Sequence, residues 1–245
     1  MKKIIVLFSV SSVSIAIGLI LMFHHGDLRC LWVSHSKQFR RIVVENTPIF
    51  VSIDTPEETL KTLVYVFKRS KNEVEKFWAG FSNEATIIYC HNERVYSKYG
   101  VKGVPALTRL GSHVILPSDG IYVETISHEL CHTELFARLG KNWWVYYQKL
   151  PCWFDEGLAL QFNNTGTYEK NALDTVPRWP INKLRTIDRP RKFYRNDSKI
   201  TLHHYLVAKK EIALWLSEHS KNDLLNVIDS LRKEGEFYAV YQNIK

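Results

Sequence analysis

No run of five or six like charges occurs in this 245-residue chain, although its formal net charge is +8. Lys and Arg are spread along its length, so a basic stripe for nucleic acid is missing, and no nucleic-acid-binding motif replaces it. The surplus reads as solubility, with attraction to an anionic membrane surface. Internal repeats and low-complexity tracts are also missing, which excludes solenoids and disordered arrays. The four cysteines (Cys30, Cys90, Cys131, Cys152) have no zinc-knuckle spacing. In an exported domain they allow one or two disulfides, and Cys131 with Cys152 is one pairing, free buried thiols being the other reading. What is present is apolar and aromatic: 45% hydrophobic and 13% aromatic residues suffice for a sizeable core in one compact domain.

The N-terminus differs from the rest. Lys2 and Lys3 precede residues 4–23, an uncharged apolar run interrupted only by Ser and Gly. A helix of about 20 residues spans the hydrocarbon core of a bilayer. The run ends Leu21-Met22-Phe23-His24-His25 without the small-x-small site of a cleavable signal. We therefore expect an uncleaved single-pass anchor over residues 1–23, a linker over 24–40, and a domain over 41–245. Basic residues flank the run on both sides, so the charge rule does not orient it. The short Lys-Lys leader places the domain outside the cytoplasm.

Along the domain, residues 41–54 read as one strand or two, interrupted near Pro48. Thr55-Pro56-Glu57-Glu58 has the form of a capping box opening a helix to about Phe81. Strands are expected at 85–90 and 113–116, a short helix at 92–99, and a loop at 101–112. A helix over 121–139, capped by Ser118 or Asp119, is followed by a helix over 153–162. Residues 163–200 are polar and irregular, and two amphipathic helices follow at about 202–217 and 223–233. Strands early and helices late give an α+β fold: a small mixed sheet packed on the 121–139 and 153–162 helices, with a helical C-terminal part.

Within the 121–139 helix stands His128-Glu129-Leu130-Cys131-His132. Residues four apart on a helix differ by only about 40° around the axis, so both imidazoles can grip one tetrahedral metal ion. Glu129 is turned by about 100°, close enough to act on a metal-held water without being a ligand. A catalytic zinc needs a third protein ligand and an open position. Downstream, Pro151-Cys152-Trp153-Phe154-Asp155-Glu156-Gly157-Leu158-Ala159 resembles the W-x-x-E-G-x-A signature of the glutamate zincins. Together the two motifs resemble the gluzincin-type zinc metallopeptidases of the peptidase MA clan.

That resemblance, carried by residues 85–216 and chiefly by the two motifs, implies Glu156 as third ligand beside His128 and His132. It also implies Zn2+ as cofactor, Glu129 as general base, and a peptide or protein as substrate. The gap from His132 to Glu156 is longer than in aminopeptidases or thermolysin-like enzymes. No third His or Asp follows His132 at metzincin spacing, and the motif lies far from the apolar run, unlike in intramembrane peptidases.

Tyr205-Leu206-Val207-Ala208 resembles the Y-x-x-A helix opening found behind such sites, which suggests the Tyr205 hydroxyl as oxyanion donor, with His203 and His204 as rivals. A strand over Gly111–Leu116 is the expected edge for pairing an extended peptide. Trp143, Trp144, Tyr146 and Tyr147 read as core or as a hydrophobic rim, and Asn163 and Asn196 stand in glycosylation-type triplets. The other reading of the chain is a membrane-tethered, non-catalytic binding or scaffold module on the same fold. Glu129 speaks against it, since a structural metal needs ligands but no base.

Overall fold

The computed structural model describes residues 26–243 apart from Asn83 and Glu234, so the expected anchor over residues 1–23 lies outside the described residues. Among the described residues no helix is long and apolar enough to cross a membrane. The fold is α+β, with five strands in one mixed sheet ordered β1-β2-β3-β5-β4. β1 (Phe39–Val44) and β2 (Thr47–Ser52) form an antiparallel hairpin, β2, β3 (Thr86–Tyr89) and β5 (His113–Leu116) run parallel, and β4 (Leu107–Arg109) closes one edge antiparallel to β5.

The central strands are buried on both faces, and their alternation sorts residues between two cores. Ile87, Tyr89, Val114 and Leu116 face the main core with the long helices. Ile88, Ile115 and Phe50 face a smaller core with Cys30, Val33 and Tyr96. That smaller core corrects the linker expectation. Residues 27–35 are folded as helix α1 (Asp27–Leu31) and a 3₁₀ turn, with Cys30 and Val33 buried. The Asp27 carboxylate also pairs with Arg109 of β4 at 2.8 Å.

Three other local expectations change. The 41–54 strand breaks at Glu45-Asn46, both at positive φ, and not near Pro48. Pro48 sits inside β2 opposite Val43, before the register with β3 begins, where its missing N–H costs little. The expected capping box is not formed: α2 (Glu57–Trp78) starts from Pro56, and the Thr55 hydroxyl meets Ser52. Helix α4 (Val123–Arg138) starts from Tyr122, with no side-chain cap from Ser118 or Asp119.

Helix α3 (Glu93–Tyr99) is capped by Asn92 as a short surface element. α2 and α4 pack together over the sheet, and α5 (Cys152–Ala159) lies beside α4. The irregular 163–200 segment carries α6 (Lys170–Asp174), α7 (Ile181–Leu184) and α8 (Pro190–Phe193). The chain closes with α9 (Ser198–Glu218), α10 (Lys221–Arg232) and a final α11 (Phe237–Asn243). α10 has a Ser220–Asp223 capping box.

α5 and α9 cross so closely that Gly157 admits no side chain. A Cβ there would come within 2.6 Å of Ile212 and 2.7 Å of the Ala208 carbonyl. Gly157, directly after Glu156, and Ala208, three residues after Tyr205, are therefore two halves of one helix crossing.

Candidate metal centre

α4 is buried almost all round: Ile126, Leu130 and Leu135 are fully covered. Its polar side chains His128, Glu129 and His132 turn toward α5 and β4, into a cavity of about 560 Å³. Glu156, on α5, faces them across the helix pair and is 5% exposed.

The ligand atoms of His128, His132 and Glu156 lie within 4.8 Å of one another. The two Nε2 atoms are 3.2 Å apart. Glu156 Oε2 is 3.5 Å from His128 Nε2 and 3.8 Å from His132 Nε2. Tetrahedral donors at about 2.0–2.1 Å from one ion stand about 3.4 Å apart, so the three atoms are spaced as a shared cation requires. Glu156 Oε2 is buried and accepts no hydrogen bond. A buried carboxylate oxygen without a partner is costly unless a cation completes it.

The partners of these side chains fix their orientation. His132 Nδ1 lies 2.7 Å from Asp155 Oδ1. A carboxylate only accepts, so Nδ1 carries the hydrogen and Nε2 presents its lone pair to the cluster. Tyr146 donates to the other Asp155 oxygen at 2.7 Å. Tyr194 donates to Glu156 Oε1, leaving Oε2 turned inward. The Tyr194 side chain is 43% exposed overall, yet its hydroxyl end is buried against Glu156. Burial and then the Glu156 charge push that hydroxyl well above its usual range. Burial opposes the charged form of Glu156, but His132 and then His128, when protonated, outweigh it and lower the carboxyl below its usual range.

Glu129 is 7% exposed and lies in the cavity without joining the cluster. Its Oε2 accepts from the Thr108 hydroxyl at 2.7 Å, which aims the carboxylate along β4. β4 is the strand inside the expected 101–112 loop. The Gly111–Leu116 edge expectation is corrected accordingly: β5 is covered on both sides by β3 and β4, and the free edge beside the site is Leu107–Arg109.

Tyr205 lines the cavity, packed edge-on against Phe193 at 5.1 Å. Its rivals do not reach it. His204 is bonded to the Phe193 carbonyl and His203 packs on Trp179. All four cysteines are free, so Cys131 and Cys152 do not bridge the ligand helices. Tyr146 and Tyr147 line the cavity, while Trp143 and Trp144 remain exposed outside the core.

The residues that motif reading missed are Asp155, Tyr146, Thr108 and Tyr194. Asp155 had a signal, standing one position before a ligand on the same helix; Tyr194, 38 residues beyond Glu156, had none. The two tyrosines should separate by experiment. Tyr194→Phe is expected to weaken metal binding about 10–100-fold by loosening Glu156. Tyr205→Phe is expected to lower kcat about 100-fold or more with metal content unchanged. Metal titration and steady-state kinetics on both variants check this, and identical signatures would contradict the division of roles.

No protein-family model matches the chain, and no curated protein matches it significantly.

Proposed function

We propose that the chain is a zinc-dependent peptidase of gluzincin type, with His128, His132 and Glu156 as ligands and Glu129 as general base. The observation that carries this reading is the buried, unpartnered Oε2 of Glu156 facing two imidazole Nε2 atoms. Two imidazoles and one carboxylate form the donor set of a catalytic zinc with one open position. A closed structural site would carry a fourth protein ligand, and would not need an oriented carboxylate beside it.

Zinc, when bound, supplies a Lewis acid for the scissile carbonyl and a water of lowered pKa. The chain's own residues do the rest. Glu129 accepts a proton at the carboxylate that Thr108 orients, and returns it to the leaving amine. Tyr205 donates its hydroxyl to the oxyanion that develops at the scissile carbonyl. β4 offers an unpaired strand edge along Leu107–Arg109, on which an extended peptide can pair while its side chains meet Val104, Tyr147 and Pro190. Residues 4–23 hold the domain at a membrane in this reading, outside the cytoplasm.

The test is cleavage of a mixed peptide library by the full chain in detergent. Chelation should abolish cleavage and added zinc should restore it. A library left intact at full zinc occupancy would favour the non-catalytic module instead.

A further inference from the structure

The cavity is flanked by exposed aromatic surface, which a cleft serving only soluble peptides does not require. Val101 and Tyr147 line it and are 47% and 44% exposed. Trp143, 43% exposed, stacks on Tyr147 at 5.2 Å and leans on Phe136 at 5.0 Å, and Trp144 beside it is 66% exposed. Exposed basic residues stand beside the mouth, with Lys102 following Val101 and Arg189 and Arg191 flanking Pro190. Fixed Trp and Tyr rings mixed with cationic side chains match the interfacial layer of an anionic bilayer.

The uncharged run ends at Phe23, and Asp27 is already locked to Arg109 of β4 at 2.8 Å. Gly26 lies against the same arginine: a Cβ on it would stand 2.9 Å from the Tyr99 carbonyl and 3.3 Å from the Arg109 guanidinium. Four residues span at most about 14 Å. Asp27, ion-paired to the strand that walls the cleft, thus lies within about that distance of the end of the apolar run. Leu31 and Trp32, in the first folded turn, are 54% and 60% exposed. The cavity is bounded by this strand too, since Leu107 and Thr108, next to Arg109, line it together with Val101 and Tyr147.

We infer that the mouth of the cleft rests on the membrane interface, with Trp143, Trp144 and Tyr147 in the headgroup layer. The site then takes juxtamembrane segments of membrane-inserted polypeptides. This rests on the peptidase and anchor readings above, and the test separates the three.

The full chain is reconstituted in phosphatidylcholine–phosphatidylglycerol vesicles containing lipids brominated near the headgroup. Parent tryptophan emission should be quenched, and the Trp143→Phe/Trp144→Phe variant, checked for native circular dichroism, should lose most of that quenching. Trp32→Phe, a single ring close to the anchor, should lose less of it than the double variant. Equal quenching in parent and double variant, with the chain still resistant to carbonate extraction, overturns the membrane-facing mouth alone. Loss of the chain to carbonate overturns the anchor reading, and the inference with it.

In the same vesicles two inserted peptides are compared, one with its cleavable sequence beside the apolar segment and one with about twenty residues between. The near site should be cut about tenfold faster or more, through its higher effective concentration at the cleft. Equal rates overturn the substrate class. Cleavage of neither, with quenching intact, overturns the peptidase reading and the substrate class, and leaves the membrane contact standing.

Discussion

Glu129→Gln in the full chain is expected to bind zinc as the parent does and to lose about 10²–10⁴-fold in kcat. The amide has the shape of the carboxylate, and its oxygen can still accept from Thr108, whose hydroxyl bonds Glu129 Oε2 at 2.7 Å in the parent. The fold, the cavity and the three ligands are therefore left in place. What is lost is one proton acceptor, and an amide cannot replace it at neutral pH. Because Glu129 is no ligand, the loss should fall on kcat with little change in KM. Zinc content by elemental analysis and kinetics on a cleaved library peptide decide it. A variant turning over at the parental rate would remove Glu129 from the mechanism.

Glu156→Ala is expected to lose zinc by more than the factor of about 100 that marks the loss of an outer partner of a ligand. Its Oε2 is the buried acceptor without a hydrogen bond, 3.5 and 3.8 Å from the two imidazoles. With it gone, two nitrogens remain, and a two-ligand site holds zinc weakly. Alanine also strands the Tyr194 hydroxyl, at about 1–3 kcal/mol for an unsatisfied buried group. Glu156→Gln separates the two effects: its amide oxygen can still accept from Tyr194, so stability should be nearer the parent while zinc is still lost. Competition against a chelator measures both variants. Parental affinity in either would mean that a different atom closes the site.

The histidine pair of this cluster was legible because its signals are local. His128 and His132 share a helix whose apolar stripes also predict its burial, and Ile126, Leu130 and Leu135 are fully covered as that pattern requires. Glu156 was legible only through its motif; nothing in its own surroundings distinguishes it from a solvated helix residue. The edge strand was not legible. β4 is three residues long within a stretch containing Gly103 and Pro105, and which strand forms an edge is decided by pairing across the chain. The segment His113–Leu116, closed by Pro117, announced a strand correctly and said nothing of its neighbours. α1 was hidden for a related reason, because five helical residues carry too little periodicity to read, and Cys30 and Val33 are recruited by a core formed elsewhere. Tyr194 reaches Glu156 from the end of a four-residue helix in a segment that reads only as polar.

X-ray absorption at the zinc edge of the metal-loaded full chain shows whether two histidines and one glutamate hold a hydrolytic zinc. One zinc per chain is expected, in a shell of nitrogen and oxygen at about 2.0–2.1 Å, with outer-shell scattering from two imidazoles. A sulfur shell at about 2.3 Å, which would recruit Cys131 or Cys152, or a chain that retains no zinc, would contradict it.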